Sequence, residues 1–471
     1  MFDSVLRRFM DEAPVCVAAR ATLGRLLRPQ WLDELFRSEA RQQYESKLLF
    51  STLVGLMGQV VAGVRRSLHE AYQHTQEAGV SIASVYNKLN GLEPAVSVAL
   101  VRQSAAEVRA VLEHLPVAEP PLEGYELRVV DGNHLAATEH RIKELRGTRS
   151  GPLPGQALVV LDPRRRLMLD VVPCEDGHAQ ERSLMAAMLG LVGPGELWLG
   201  DRNFCTTTTV CGIPRRGAFL LIRQHASTLT WREGGAWRGR GRTDTGRVCE
   251  QPALVWDPPA GAWTPLRRIR LELDKPTRDG EREILLLTNL PPEAASAAEV
   301  ADLYGGRWQI EGAFGELTAA LRCEVKTLGY PRAALFAFCL ALLAYNAVSL
   351  VKTALAAAHA KARGTMPRAS RARREAEEGI SFYQLSRELA ATAAGMEVAV
   401  DPAAWVDFSR MTPRRFARAL LGLARRMDPR RYRKHPRGPK KKRPPQKHGR
   451  RIKHVSTAKL IARRYTGSAG P

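Results

Sequence analysis

The chain has 471 residues, enough for a sizeable core and for more than one domain. Its 71 Lys and Arg against 48 Asp and Glu leave +23, a balance foreign to an ordinary metabolic enzyme and suited to a polyanionic partner, nucleic acid first. Seven cysteines form no C-x-x-C pair and no Cys/His zinc spacing, which argues against structural zinc or disulfides and, with no signal peptide, for reduced cytosolic thiols.

Residues 1–120 predict a helical, DNA-binding region. Within it, SLHEAYQHTQEAGVSIASVYNKLNGL reads as a helix, a turn at Gly79 and a second helix capped by Ser81. This is either a helix-turn-helix with Ser84, Tyr86, Asn87 and Lys88 exposed to DNA or a plain helical hairpin. PVAEPP, Pro116 to Pro121, reads as a linker.

From 121 to 223 the pattern turns to strands. YELRVVDGNHL predicts a strand ending at Asp131, and QALVVLDPRRRLMLDVVP two strands joined by a turn at Asp162 and Pro163. A helix over Ala179 to Val192, a strand ending at Asp201 and a fifth strand, AFLLIRQ, follow. That is the order of an RNase H-like core, a topology that places the first and fourth strands side by side and would make Asp131 and Asp201 neighbours. Asp162 reads as a turn former and Asp170 as mid-strand, so both rank below that pair. Residues 224–298, rich in Arg, Gly, Thr and Trp with short β-like runs, predict a β-rich insertion.

EVADLYGGRWQIEGAFGELTAAL, Glu299 to Leu321, opens the next region, 299–360. One helix through it sets Tyr304, Arg307 and Glu311 on a ridge beside a stripe of Leu303, Ile310, Phe314, Leu317 and Leu321, with Glu316 on another face. Taken alone, the ridge is no more than an i,i+4 ion pair on an amphipathic helix. The apolar runs Leu48 to Val64 and Ala333 to Val351 read as buried core helices, not membrane spans. A helical region over 361–426 precedes a basic tail, 427–471, too polar and proline-rich to fold alone. From Arg425 to His454 fifteen Lys or Arg stand against Asp428, a net +14 of the +23. Arg437, Lys440, Lys441, Lys442 and Arg443 are its candidate phosphate contacts.

The Tyr304, Arg307, Glu311 spacing, with Trp308, Ile310 and Phe314, resembles the signature helix of the DDE transposases of bacterial insertion sequences. VVDG at Asp131 and GDRNF at Asp201 precede it in the order that family requires. The resemblance implies an α/β, RNase H-like catalytic core, a five-stranded mixed sheet with helices, interrupted by a β-rich insertion that grips the element's ends. It implies a helical N-terminal region and a disordered basic tail. Where the family has a Lys or Arg seven residues after its glutamate, this chain has Thr318.

The activity implied is Mg²⁺-dependent DNA cleavage and strand transfer at the ends of an insertion element. Such in-line displacement at phosphorus uses two divalent ions, Mg²⁺ or Mn²⁺, held by hard carboxylate oxygens. Asp131, Asp201 and Glu311 are the catalytic and metal-binding candidates, with Asp131 the bridging ligand. Tyr304, Arg307, Arg202, Trp308 and Lys326 are candidate DNA contacts, arginine being suited to bidentate phosphate binding. In members of that family that form a DNA hairpin, an aromatic residue of the insertion stacks on a flipped base; Trp231, Trp237, Trp256 and Trp263 are the residues available here, or pack the β-sheet instead. The partners expected are double-stranded DNA, as inverted-repeat ends and as target, and a second copy of the chain in the synaptic complex. The setting expected is a bacterial cytoplasm, at the nucleoid. The alternatives are a nuclease or resolvase of the same fold without strand transfer, and a catalytically inactive, domesticated DNA-binding protein.

Overall fold

The computed structural model describes residues 4–43, 47–75, 79–117, 119–136, 138, 142–145, 150–225, 227–277, 280–360, 379–434 and 454–467. The N-terminal region is helical: α1 (Ser4–Glu12), α2 (Pro14–Leu26), α3 (Pro29–Glu39), α4 (Phe50–Val61), α5 (Leu68–Gln73), α6 (Ile82–Gly91) and α7 (Pro94–Leu112). A proline in the first turn opens α2, α3 and α7, where its missing N–H costs nothing. Before α6, Gly79 adopts φ +58° and the Ser81 hydroxyl accepts from the Ser84 amide. Ser84 and Asn87 are exposed as expected, but Tyr86 is half-buried. Lys88 is likewise turned inward, donating to the Leu48 carbonyl at 2.7 Å with its ammonium over the Phe36 ring, because its apolar stem finds cover there.

The strands are β1 (Glu126–His134), β2 (Gly151–Leu153), β3 (Gln156–Asp162), β4 (Leu167–Cys174), β5 (Glu196–Gly200), β6 (Phe219–Arg223), β7 (Trp231–Glu233), β8 (Arg238–Thr243), β9 (Gly246–Asp257), β10 (Ala262–Leu273), β11 (Glu283–Thr288) and β12 (His454–Ser456). The main sheet runs β4-β3-β1-β5-β6-β11-β10-β9-β7, with β8 also on β9. Its first five strands have the expected order, β3 antiparallel to β1 and β4, and β1, β5 and β6 parallel. Side chains alternate between two cores. Val129, Val159, Leu197, Leu199 and Leu221 join one, and Val130, Leu158, Val160, Trp198, Leu220 and Ile222 the other. Burial on both faces explains why these strands read as continuous apolar runs.

The first core is filled by α12 (Pro331–Ala360), long and apolar enough to cross a membrane yet 94% buried in its most apolar window. Its fully buried Asn346 accepts from the Met168 amide and donates to the Met168 carbonyl, at 2.8 and 2.9 Å. Met168 borders a register shift against β3, so the asparagine satisfies edge-strand groups there.

The 224–298 segment is β-rich, carrying β7 to β11, and β11 pairs with β6, so it extends the core sheet. Two expectations are corrected. The 179–192 helix is a 3₁₀ turn, Glu181–Leu184, running into a single turn, α8 (Met185–Leu189). Of the tail expected to be disordered, residues 427–434 and 454–467 fold against partners. Tyr432 is buried, its hydroxyl donating to Glu388, and β12 pairs parallel with β2 before a last helix, Thr457–Gly467.

Candidate active site

Strand β1 runs three residues past Asp131 instead of ending there, because β3 still pairs it to His134. The parallel ladder to β5 stops at Val129 and Leu199, so β1 and β5 part at Asp131 and open a crevice at their carboxyl ends. Asp131 accepts from its neighbour's amide, Gly132, at 2.9 Å. Asp201, directly after β5, caps the next turn by accepting from the Asn203 amide at 2.7 Å. Arg202 points the other way, its guanidinium 3.4 Å from Glu281 of the strand extension.

The third contribution comes from α10 (Ala297–Gly305) and α11 (Trp308–Ala320), which replace the single helix expected. Ser296 and Glu299 form a reciprocal capping box that starts α10. At Gly305 and Gly306 the chain tightens, the Arg307 amide bonding to the Tyr304 carbonyl, and α11 restarts. The restart puts Glu311 in the first turn of a helix, where the dipole favours a negative charge. Tyr304 and Arg307 are buried, not exposed on a ridge: burial pushes the Tyr304 phenol up to about 12 against the pull of Arg307.

Arg307 ties the site together. Nη1 lies 3.6 Å from Asp131 Oδ2 and Nη2 donates to Glu311 Oε1 at 2.7 Å. Burial, reinforced by the Asp201 and Glu181 carboxylates, pushes the Asp131 carboxyl up to about 7 even though Arg307 pulls it down. A carboxyl buried this far, with two further carboxylates nearby, binds a proton readily.

The donor chemistry suits a hard divalent ion, since the three candidates offer only carboxylate oxygens. Among the described residues, however, no three such side chains are grouped at metal-binding distance. The Arg307 guanidinium supplies positive charge between Asp131 and Glu311, and Asp201 lies near enough to Asp131 to raise its carboxyl.

Trp308 is 60% exposed under the Arg307 guanidinium, 4.6 Å from ring centre to Cζ. Lys326 is exposed on the segment after α11, and Thr318 bonds its own helix at the Phe314 carbonyl. The four tryptophans of the extension are engaged: Arg268 lies over Trp231, Arg270 over Trp237 and Arg232 over Trp263, with Trp256 edge-on to Trp263. Arg437, Lys440, Lys441, Lys442 and Arg443 lie outside the described residues.

Sequence reasoning missed Glu181. Its carboxylate accepts from the Asn203 side chain at 3.3 Å, lies 3.9 Å from His134 Nε2 and fills the space a Cβ on Gly132 would need. The signal was an acid at the start of the turn after a strand pair, here in HAQERS, which reads as an ordinary helix start without the fold.

Residues 122–347 match the family model described as Transposase DDE domain, a span that begins before β1, ends inside α12 and holds all three carboxylates. This stretch of the chain is a transposase DDE domain. No curated protein matches the sequence. Among solved structures, piggyBac transposase in a synaptic complex with hairpin DNA, from cryo-EM, is similar over 86% of this chain and 84% of its own. That match has 10% identity and a TM-score of 0.33, too slight to carry an argument.

Proposed function

We propose that this chain is a DDE transposase that cuts DNA at the ends of an insertion element and joins the freed 3′ ends to target DNA, with Asp131, Asp201 and Glu311 as the catalytic carboxylates. The observation that carries the reading is Arg307, one buried guanidinium reaching both Asp131 and Glu311, 180 positions apart, beside Asp201. Asp131 and Asp201 would hold one divalent ion, and Asp131 and Glu311 a second once Arg307 turns away. Bound there, Mg²⁺ would activate the attacking oxygen and neutralise charge on the leaving one.

The chain's own groups do the rest. Arg307, released from Glu311, has its fork free for a phosphate next to the scissile bond. The bond from Asn203 holds Asp201 toward the crevice, and Gly132 lets Glu181 approach beneath Asp131. Exposed Trp308 offers a face for a base. Double-stranded DNA is the partner, and a second copy of the chain would hold the other end in a synapse.

A catalytically silent DNA-binding protein is the second reading, favoured by Arg307 standing between the acids and by Thr318 where a cation is expected. Purified protein with Mg²⁺ and DNA bearing the flanking inverted repeats separates them. Transposition gives 3′ ends joined to target DNA, a nuclease gives cuts without joining, and a silent binder gives a shifted, uncut duplex.

A further inference from the structure

A cavity of about 620 Å³ lies far along the chain from the carboxylates, at a seam between α2, the start of α3 and the 405–411 segment. Its wall carries Arg20, Arg25, Arg28 and Arg410 with Trp405, and no Asp or Glu lines it. So basic a wall in a folded region is costly unless something negative enters it, because like charges at this spacing repel.

The four arginines differ in how they are engaged. Arg25 is buried, bonded to the Met411 carbonyl, paired with Glu107 and stacked on the Phe416 ring. It locks the two sides of the seam together, and its charge is answered. Arg20 lies with its guanidinium over the Trp405 ring, 5.3 Å from the centroid. Among the described residues Arg28 and Arg410 enter no ion pair, and Arg28 Nε is buried without a hydrogen-bond partner. Arg28 also occupies the cap position of α3 with no side-chain cap, so the first turn of that helix adds its own positive potential to the wall. Guanidinium forks around this cavity match the oxygens of a phosphate, whereas a wholly apolar ligand would leave them desolvated.

We infer that this seam is a phosphate-binding site, with Arg28 and Arg410 as the principal ligands, Arg20 behind them and Arg25 as the residue that positions the wall. The phosphate is taken to be a DNA backbone group, a choice that rests on the proposed DNA-processing function of the transposase domain. The phosphate site itself does not rest on the carboxylates cutting DNA.

The test compares full-length wild type with R28Q/R410Q and with R414Q/R418Q, which removes the same charge from exposed positions of the neighbouring helix, Pro413–Ala424. Two quantities are read: the slope of log K against log salt for a plain duplex, over about 50–200 mM, and the melting temperature with inorganic phosphate. The inference predicts that R28Q/R410Q lowers the slope by about 1 to 2, roughly 0.9 for each phosphate no longer neutralised, and abolishes stabilisation by phosphate, while R414Q/R418Q keeps both. A missing phosphate response with an unchanged DNA slope would keep the site and make free phosphate its ligand. Equal behaviour of the two variants in both readings would overturn the inference. If R28Q/R410Q melts early without ligand, R410Q alone, at an exposed position, gives the same comparison at about half the effect.

Discussion

Helix α11 carries two glutamates five residues apart, and the fold puts them to opposite uses. Glu316 faces inward among Arg166, Lys352 and Lys434 at 3.2, 3.8 and 3.4 Å. Burial works against its charge, but the three cations outweigh it and hold the carboxyl below the ordinary range. Glu311 shares a single guanidinium with Asp131, whose own carboxyl is pushed up to about 7. A carboxylate with a full complement of cations belongs to the framework. A buried group of carboxylates short of cations is where a metal or a proton is wanted, and the contrast within one helix sets the two glutamates apart.

The sharpest way to break this contrast is to neutralise each glutamate. Glu311→Gln should cut DNA cleavage on the order of a thousandfold, equivalent to about 4 kcal/mol of transition-state stabilisation, and leave the melting temperature nearly unchanged. Glu316→Gln should do the reverse, costing about 3 to 5 kcal/mol of stability because three cations lose their partner. Paired cleavage assays and thermal melts read both, and a Glu316→Gln protein that melts like wild type would sink the framework assignment.

Asp131 supplies a pH signature. Its folded pKa, about 7, lies above the ordinary 3.8, so the native state holds a proton that the unfolded chain has released. That contribution is complete below about pH 4 and fades as pH rises to about 7, so metal-free wild type should lose up to about 4 kcal/mol over this window. Asp131→Asn should lose far less, and Mg²⁺ should restore stability to wild type alone. Denaturant titrations at pH 4.5 and 7.5, with and without Mg²⁺, measure it; parallel curves for the two proteins would mean that the buried Asp131 carboxyl is not the titrating group.

Gly132→Ala should cost about 1 to 3 kcal/mol, because the new methyl meets the Glu181 carboxylate, and Glu181→Ala in the same protein should recover most of it. Melting temperatures of the single and double variants decide this, and additive losses would mean that Gly132 matters for another reason. The smallest effect belongs to Lys434→Ala, which removes a half-exposed partner of Glu316 and should stay under about 1 kcal/mol in a thermal melt.

Much of this was legible beforehand because it rests on local pattern. Alternating and continuous apolar runs reported the order of the central strands, and the length and apolarity of α12 reported its burial. What escaped depends on distance. The double glycine at 305 and 306 gives no sign that the helix will tighten and draw Tyr304 and Arg307 inward. Nothing in ERSL says that Glu181 will lie under Gly132, 49 positions earlier. The pairing of β11 with β6, which fuses the expected insertion to the core sheet, and the return of β12 to β2 are long-range ladders that local sequence does not encode.

The central claim is that Asp131, Asp201 and Glu311 together hold divalent ions. A crystal structure of the protein with a DNA end and Mn²⁺, located by anomalous scattering, tests it most directly. Manganese should appear between Asp131 and Asp201 and between Asp131 and Glu311, with Arg307 swung onto a phosphate. Manganese absent from the crevice, with Arg307 still bridging Asp131 and Glu311 in the DNA complex, would contradict it.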